Sequence, residues 1–286
     1  MNWKRFYMVL FAFATTGLAS AQANLLNAKK VDEIGFKSEA QIASEDDKPL
    51  PYGYISDRDV LWSKVVWEYV DLNQKINLPY YYPIDTMNAG LTRRSLFHTL
   101  LKGIKNGEIT EVYNDSYFTT KIGLEEVKMM TYNERQNGDY IDEYYVKAED
   151  IKGYMLKGIW YFDKRQGELK YRLLALAPMG PDVQVLGVEE IDDSESVYEL
   201  FWVFFPAARQ TLHESKVFNP ENSAQPLSYD NLLNARRFNS TILKEENIYG
   251  DRSIKDYVRG NSLFQLLEAN RIKEGIRNRE MDMWNY

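Results

Sequence analysis

Two histidines, His98 and His213, are the first candidates for chemistry in this sequence. His213 is followed by Glu214 and Ser215, which suggests a hydrolase triad. The Gly-x-Ser-x-Gly turn that exposes such a serine is absent, and sequence neighbours do not by themselves supply triad geometry. His98 lies near the inner stripe of a predicted helix, where a packed or edge role is simplest. We therefore expect structural roles for both histidines and no catalytic residues.

Metal and cofactor sites also lack support from residue type and spacing. The chain has no cysteine, and its two histidines are far apart, which argues against a zinc site. The acidic run at residues 189–195 lacks the residue order of a calcium loop, and so do Asp139, Asp142 and Glu143. The chain has 42 acidic residues, so the carboxylate pair of a glycosidase could be chosen in many ways. The presence of such pairs is therefore no evidence for glycosidase activity. Phosphate-loop and dinucleotide motifs are absent. We predict no metal and no cofactor.

The first 21 residues predict export from the cytoplasm. Lys4 and Arg5 precede an apolar run at residues 6–18 and the small-residue site Ala19-Ser20-Ala21. This is the layout of a secretory signal peptide. The run is shorter than the roughly 20 residues that a membrane-spanning anchor needs. Cleavage would leave a mature chain of 265 of the 286 residues, beginning at Gln22.

Composition restricts the partners of the mature chain. It would carry 33 basic and 42 acidic residues, a net charge of −9, which repels nucleic acid and anionic lipid. Without cysteine it has neither disulfides nor a lipid attachment point, and no other apolar stretch approaches membrane length, so we expect no direct membrane insertion. The 21 tyrosines favour interfaces or sugar-binding surfaces. An exported carbohydrate-acting enzyme or sugar-binding domain is therefore the alternative to an assembly protein.

The segment order predicts a polar arm followed by one folded domain. Residues 22–50 have few apolar anchors, which indicates a flexible N-terminal arm, and the domain is expected over residues 51–286. Apolar residues at helical spacing predict a helix over residues 56–72 and a second helix, capped by Thr92, that ends at Gly107.

β character dominates from residue 151 onward. Residues 151–162 and 169–179 are rich in aromatic and β-branched side chains and predict a hairpin. Further strands are expected at 183–188 and 198–205, the last one ending at Pro206.

A final helix is expected to begin at Ser262 and to bury Leu263, Leu266, Leu267 and Ile272. The whole pattern predicts an α+β fold in which helices flank a mostly antiparallel sheet.

Several strings in the chain resemble one known family. Residues 67–83 run from Trp67 through Tyr80-Tyr81-Tyr82 to Pro83, and this segment resembles the gliding motility protein family GldN and its relative PorN. Residues 94–97, 159–163 and 200–206 are similar to the same family. The resemblance extends over residues 51–283. It carries no catalytic signature.

This resemblance implies a role in the type IX secretion system of Bacteroidetes. Members of the family join a lipoprotein partner, GldK or PorK, in a periplasmic ring beneath the outer membrane. The implied location is the periplasm, with attachment to the outer membrane through that partner. The implied partners are a GldK/PorK-like lipoprotein and further copies in the ring, with inner-membrane motor subunits of the GldL/GldM type as additional candidates.

Tyr80, Tyr81 and Tyr82 form the candidate partner interface. Three successive rings in an extended, proline-bounded stretch cannot all point inward, and tyrosine is favoured at interface hot spots. Trp67 and Leu72, in the same segment, are expected to be ordinary core residues.

Overall fold

A seven-stranded sheet forms the centre of the fold. It is seen in a computed structural model that describes residues 48–84, 93–137, 140–186, 197–219 and 227–283. Its neighbouring strands are antiparallel, and two separate two-stranded sheets accompany it in the described chain.

Eleven strands and seven helices lie in the described part of the chain. The strands are β1 (Val60–Asp71), β2 (Val112–Tyr113), β3 (Tyr132–Asn137), β4 (Tyr140–Tyr145), β5 (Gly153–Asp163), β6 (Glu168–Gly180), β7 (Tyr198–Glu199), β8 (Trp202–Phe204), β9 (Lys216–Val217), β10 (Leu227–Ser228) and β11 (Thr241–Glu245). The helices are α1 (Leu78–Tyr81), α2 (Leu96–Lys105), α3 (Leu124–Thr131), α4 (Phe205–Glu214), α5 (Tyr229–Asn234), α6 (Ile254–Tyr257) and α7 (Ser262–Met283). Short 3-10 helices occupy Asp57–Asp59, Lys75–Asn77 and Ala148–Asp150. The strand order in the main sheet is β11-β1-β5-β6-β8-β2, with β7 paired to β6. Strands β3 and β4 form one two-stranded sheet, and β9 and β10 form the other.

The predicted α+β class is confirmed. The long hairpin of β5 and β6 lies where the aromatic and β-branched runs predicted it. Residues 49–286 form one compact unit. The predicted signal peptide and residues 22–47 of the predicted arm lie outside the described residues, so both stay predictions.

The helix predicted over residues 56–72 is wrong, because most of this segment is the central strand β1. β1 lies between β11 and β5, so both of its edges are hydrogen-bonded, and side chains from both of its faces enter apolar clusters. Val66 and Val70 belong to two apolar clusters, and Trp67 belongs to a third. This separation is expected in a strand, because residues 66 and 70 point to the opposite face from residue 67. A strand buried on both faces is apolar at nearly every position, which the helical template also fits. The β-branched and aromatic content was the better signal.

The second predicted helix is confirmed as α2, with a different cap. The Ser95 hydroxyl accepts a hydrogen bond from the backbone N–H of His98 at 3.3 Å, so Ser95 is the N-cap. Thr92, the predicted cap, lies outside the described residues. Gly107 has φ +74° just beyond the helix, which explains the stop.

Two strand predictions need correction. Residues 183–186 form a turn, and 187–188 lie outside the described residues. The single strand predicted over residues 198–205 is two short strands, β7 and β8, followed at once by α4. Pro206 lies in the first turn of α4. Proline favours that position because its missing N–H has no partner there, so the residue read as a strand stop is a helix start.

Three apolar clusters hold the domain together. The largest packs α2, α4 and α5 against the sheet and includes Leu100, Phe201 and Phe205. A second joins the sheet to α7, and a third lies around Trp67 and Trp202. Trp67 and Leu72 are both buried, so their predicted core role is confirmed.

The buried face of α7 differs from the predicted one. Ile272 is buried as expected, but Leu263, Leu266 and Leu267 are exposed. The helix packs through Ala269, Ile272 and Ile276 instead, a stripe with spacings of three and four residues. Periodicity alone could not tell which of two apolar stripes faces the sheet.

This packing predicts different costs for two substitutions on one helix. Ile272→Ala should lower the free energy of unfolding by about 2–4 kcal/mol, because Ile272 is 5% exposed and its removal leaves a cavity. Leu266→Ala, at 46% exposure, should change it by less than about 0.5 kcal/mol. Urea unfolding followed by circular dichroism measures both. Equal losses would contradict the observed orientation of α7.

Candidate functional site

Two of the three tyrosines of the candidate interface lie in a helical turn, and only the third has the predicted extended backbone. Tyr80 and Tyr81 belong to α1, and Tyr82 follows it. Tyr80 is 1% exposed, its hydroxyl donates to the Arg237 carbonyl at 3.3 Å, and burial raises its pKa. Tyr82 is 53% exposed. Tyr80 is therefore part of the core, and the surface that a partner could reach in this segment consists of Tyr81 and Tyr82.

Tyr81 links this exposed end to the rest of the domain. Its hydroxyl donates to the Glu149 carbonyl at 3.3 Å. Its ring packs edge-on against Tyr82, with ring centroids 4.9 Å apart. The two outer rings thus form one continuous aromatic edge.

The histidines occupy packed helix positions. His98, on α2, is half-buried, and its pKa is lowered by burial and by the charges of Arg94 and Lys102. His213 is buried on α4. The neighbouring Glu214 carboxylate accepts from Gln210 Nε2 at 2.7 Å, an ordinary contact one helical turn apart. Groups of three or more His, Cys, Asp or Glu that could hold a metal ion do not occur among the described residues.

A cavity of about 450 Å³ lies between the sheet and the C-terminal half of α7. Glu68 of β1 lines it, with a side chain only 2% exposed. The Glu68 carboxylate accepts hydrogen bonds from Arg236 Nη2 at 2.8 and 3.2 Å and from Ser240 Oγ at 2.8 Å. These donors supply the partners that a buried carboxylate requires.

Arg236 is held in an unusual backbone conformation beside this carboxylate. Its φ is +50°, a region that non-glycine residues adopt only when their surroundings fix it. Its guanidinium lies 4.0 Å from the Tyr171 ring centroid and 5.0 Å from that of Trp160. Tyr171 can lie there because Gly158 has no Cβ, which would stand about 2.2 Å from the Tyr171 hydroxyl oxygen. Glu68, Arg236, Tyr171 and Trp160 therefore form a packed cluster with a structural role.

The positions of the tryptophans argue against the sugar-binding alternative. Such a site needs exposed aromatic rings, but Trp67 and Trp202 are buried, and the Trp160 ring lies against Arg236 and Tyr171. In the part of the chain that the structure describes, these three tryptophans are therefore packed against other side chains and do not form an exposed binding surface.

A second buried ion pair joins α4, α5 and the start of the domain. Arg209 Nε and Nη2 donate to the two Asp230 oxygens at 2.7 and 3.0 Å, a bidentate pair. Arg209 Nη2 also donates to the Leu50 carbonyl at 2.7 Å, and its guanidinium lies 4.2 Å from the Tyr52 ring centroid. The sequence reading missed both ion pairs. The sequence signal that could have indicated the first pair is Glu68, a charged residue inside an apolar run.

Exposed apolar side chains concentrate on two further surfaces that the sequence reading did not single out. The hairpin surface, on β4, consists of Tyr140, Ile141 and Tyr145. The C-terminal surface, on the β11–α6 loop and the first turns of α7, consists of Ile248, Tyr249, Leu263, Phe264, Leu266 and Leu267. Exposed apolar side chains grouped on one element mark interaction sites more often than singly scattered ones do.

A family model described as gliding motility associated protein GldN matches residues 55–285. The chain belongs to the GldN family. The match includes every strand and helix given above, so the family is defined over the whole described fold. No curated protein matches this GldN-family chain. The resemblance read from the sequence is confirmed, and the family's description concerns motility and names no enzymatic reaction. Among the residues that the structure describes, none of the helices combines the length and apolarity needed to cross a membrane.

We predict that substitutions of Glu68 and Arg236 have non-additive effects on the free energy of unfolding. Arg236→Met should lower the free energy of unfolding by about 3–5 kcal/mol, because it leaves a buried carboxylate without its cation. Glu68→Leu should also destabilise the protein, but the double variant should lose less than the sum of the two single variants. Urea unfolding of the four proteins measures this coupling. Strict additivity would show that the pair does not act as a unit.

Proposed function

We propose that this chain is a periplasmic structural component of the type IX secretion and gliding machinery, where it forms a ring complex with a GldK/PorK-like outer-membrane lipoprotein. The match to the GldN family over residues 55–285 carries this proposal. Self-association within the ring is part of it, and GldL/GldM-like motor subunits are further candidate partners. Chemistry plays no part in the proposed role.

The surface of the domain supports an assembly role. Assembly interfaces need exposed apolar and aromatic side chains within a polar surround. The Tyr81–Tyr82 edge, the hairpin surface and the C-terminal surface all offer such side chains on a domain that is otherwise acidic. The predicted signal peptide would bring the chain to the periplasm, and the absence of cysteine leaves membrane attachment to a partner.

The proposal is tested by deleting the gene and restoring it with an affinity-tagged copy. We expect the deletion to abolish secretion of type IX substrates and the tagged protein to co-purify with an outer-membrane lipoprotein identified by mass spectrometry. Normal secretion in the deletion strain, or purification without any lipoprotein, would overturn the proposal.

Export gives a separate prediction. The mature protein should begin at Gln22 and fractionate with the periplasm or outer membrane, because the small-residue site ends at Ala21. N-terminal sequencing of the tagged protein measures this. Finding Met1 on the abundant form would contradict export.

The exposed tyrosine edge gives a prediction about partner binding. Tyr82→Ala should weaken co-purification of the lipoprotein about thirtyfold, the effect of losing a hot spot of about 2 kcal/mol, and should leave thermal stability unchanged. Tyr198→Ala is the matched control, because Tyr198 is 54% exposed on β7 and Tyr82 is 53% exposed. Tyr80→Ala should instead destabilise the fold. Wild-type co-purification by the Tyr82 variant would place the interface elsewhere.

A further inference from the structure

Helix α2 presents positive charge to solvent in a chain that is acidic overall. Its apolar side is buried in the largest apolar cluster. Its other side presents Lys102 and Lys105, which are exposed, and His98, which is half-buried. The helix itself contains no acidic residue. Residues 93–108 carry four Lys and Arg and one acidic residue, Glu108, a net charge of +3, whereas the whole chain has a net charge of −7.

These side chains lie along one side of the helix. His98, Lys102 and Lys105 follow one another at spacings of four and three residues. Residues at such spacings are neighbours on a helix surface, about 6 Å apart. Their charges therefore add along a single line.

The pKa of His98 shows the sign of the field at this position. It is lowered by partial burial and then by the charges of Arg94 and Lys102. In the described chain no carboxylate offsets these two cations at His98. This side of α2 is therefore positive towards a group placed on it.

The apolar side of α2 is not available to a membrane. An amphipathic helix that lies on a lipid surface inserts its apolar side among the headgroups. In α2 that side is packed in the core, through residues such as Leu96, Phe97 and Leu100. A partner can therefore meet only the polar side, and a protein segment that carries carboxylates matches this side in charge.

We propose that the basic face of α2, formed by Arg94, His98, Lys102 and Lys105, docks an acidic segment of a partner protein. Two carboxylates two residues apart in an extended segment are about 6.7 Å from each other. This distance is close to the roughly 6 Å between neighbouring cations on the helix, so more than one charge pair can form at once. The inference goes beyond the proposed function, which assigns no role to α2.

Two matched variants test the charge of this face. The face variant is Lys102→Gln with Lys105→Gln, and the control is Lys273→Gln with Arg277→Gln on α7. Each removes two positive charges from exposed helix positions, so both should remain folded, as measured by circular dichroism. The α7 pair lies beside Glu274, whereas the α2 pair has no acidic residue within its helix.

The probe is a synthetic peptide, Ser-Glu-Ser-Glu-Ser-Glu-Ser, that carries a neutral fluorophore. Fluorescence anisotropy at low ionic strength measures its binding to the mature chain. We expect the wild type and the control to bind it equally and the face variant to bind it about tenfold more weakly. Binding should weaken as salt is added, and a peptide with Gln in place of Glu should not bind.

His98 locates the bound peptide, because the chain has only two histidines. An NMR titration of the imidazole protons of the untagged chain follows both, and His213, buried on α4, serves as the reference. Saturating peptide should raise the pKa of His98, since nearby carboxylates stabilise the imidazolium, and should leave the His213 signals unchanged. Lys102→Gln alone should also raise the pKa of His98, because it removes one of the two cations that lower it.

Three results would overturn the inference: no binding of the acidic peptide by the wild type, equal binding by the face variant and the wild type, or binding that leaves the pKa of His98 unchanged. Phosphatidylglycerol vesicles that bind through Lys102 and Lys105 when the peptide does not would also overturn it and assign the face to anionic lipid. Secretion and lipoprotein co-purification test the proposed function separately, so these outcomes leave that function standing.

Discussion

A carboxylate buried in the middle of the central strand organises this fold. Glu68 lies between Val66 and Val70 on β1, and those two valines belong to different apolar clusters. A buried carboxylate is tolerated only when it is paired and hydrogen-bonded, and Arg236 and Ser240 supply those partners. Both residues lie in the segment leading into β11, where Arg236 has φ +50°. β11 in turn supports α6 and α7, so the C-terminal quarter of the domain depends on this ion pair.

The parts of the fold that the sequence predicted are those with clear local signals. The β5–β6 hairpin has two runs of β-branched and aromatic residues around a polar loop, and α2 has one apolar stripe closed by Gly107. The central strand β1 was mistaken for a helix because both of its faces contribute to apolar clusters, so its apolar residues do not follow the simple alternation of a half-exposed strand. The orientation of α7 was missed because its first turns carry leucines that the sheet does not cover. In both cases tertiary contacts decided the outcome.

The candidate site was predictable only in part, for a related reason. Sequence placed Tyr80, Tyr81 and Tyr82 together, but only the helical turn of α1 decides that Tyr80 points inward and Tyr82 outward. The family strings identify the protein because they are packing motifs shared along the fold, and such motifs say little about surfaces. The hairpin surface carries ordinary residues for a strand, so its exposure could not be predicted from its composition.

The edges of the main sheet restrict how the domain can assemble. On β11, Lys244 pairs with Trp67 on one side and forms an isolated bridge to Ser253 on the other. On β2, Tyr113 pairs with Trp202 on one side and bridges to Lys121 on the other. Lysines and short covering segments are the devices by which proteins block edge-to-edge pairing. Since each edge strand is partly covered in this way, extension of the sheet from copy to copy is disfavoured. The proposed self-association would therefore use side-chain surfaces and not the sheet edges, and the hairpin and the first turns of α7 are two elements that carry exposed apolar side chains.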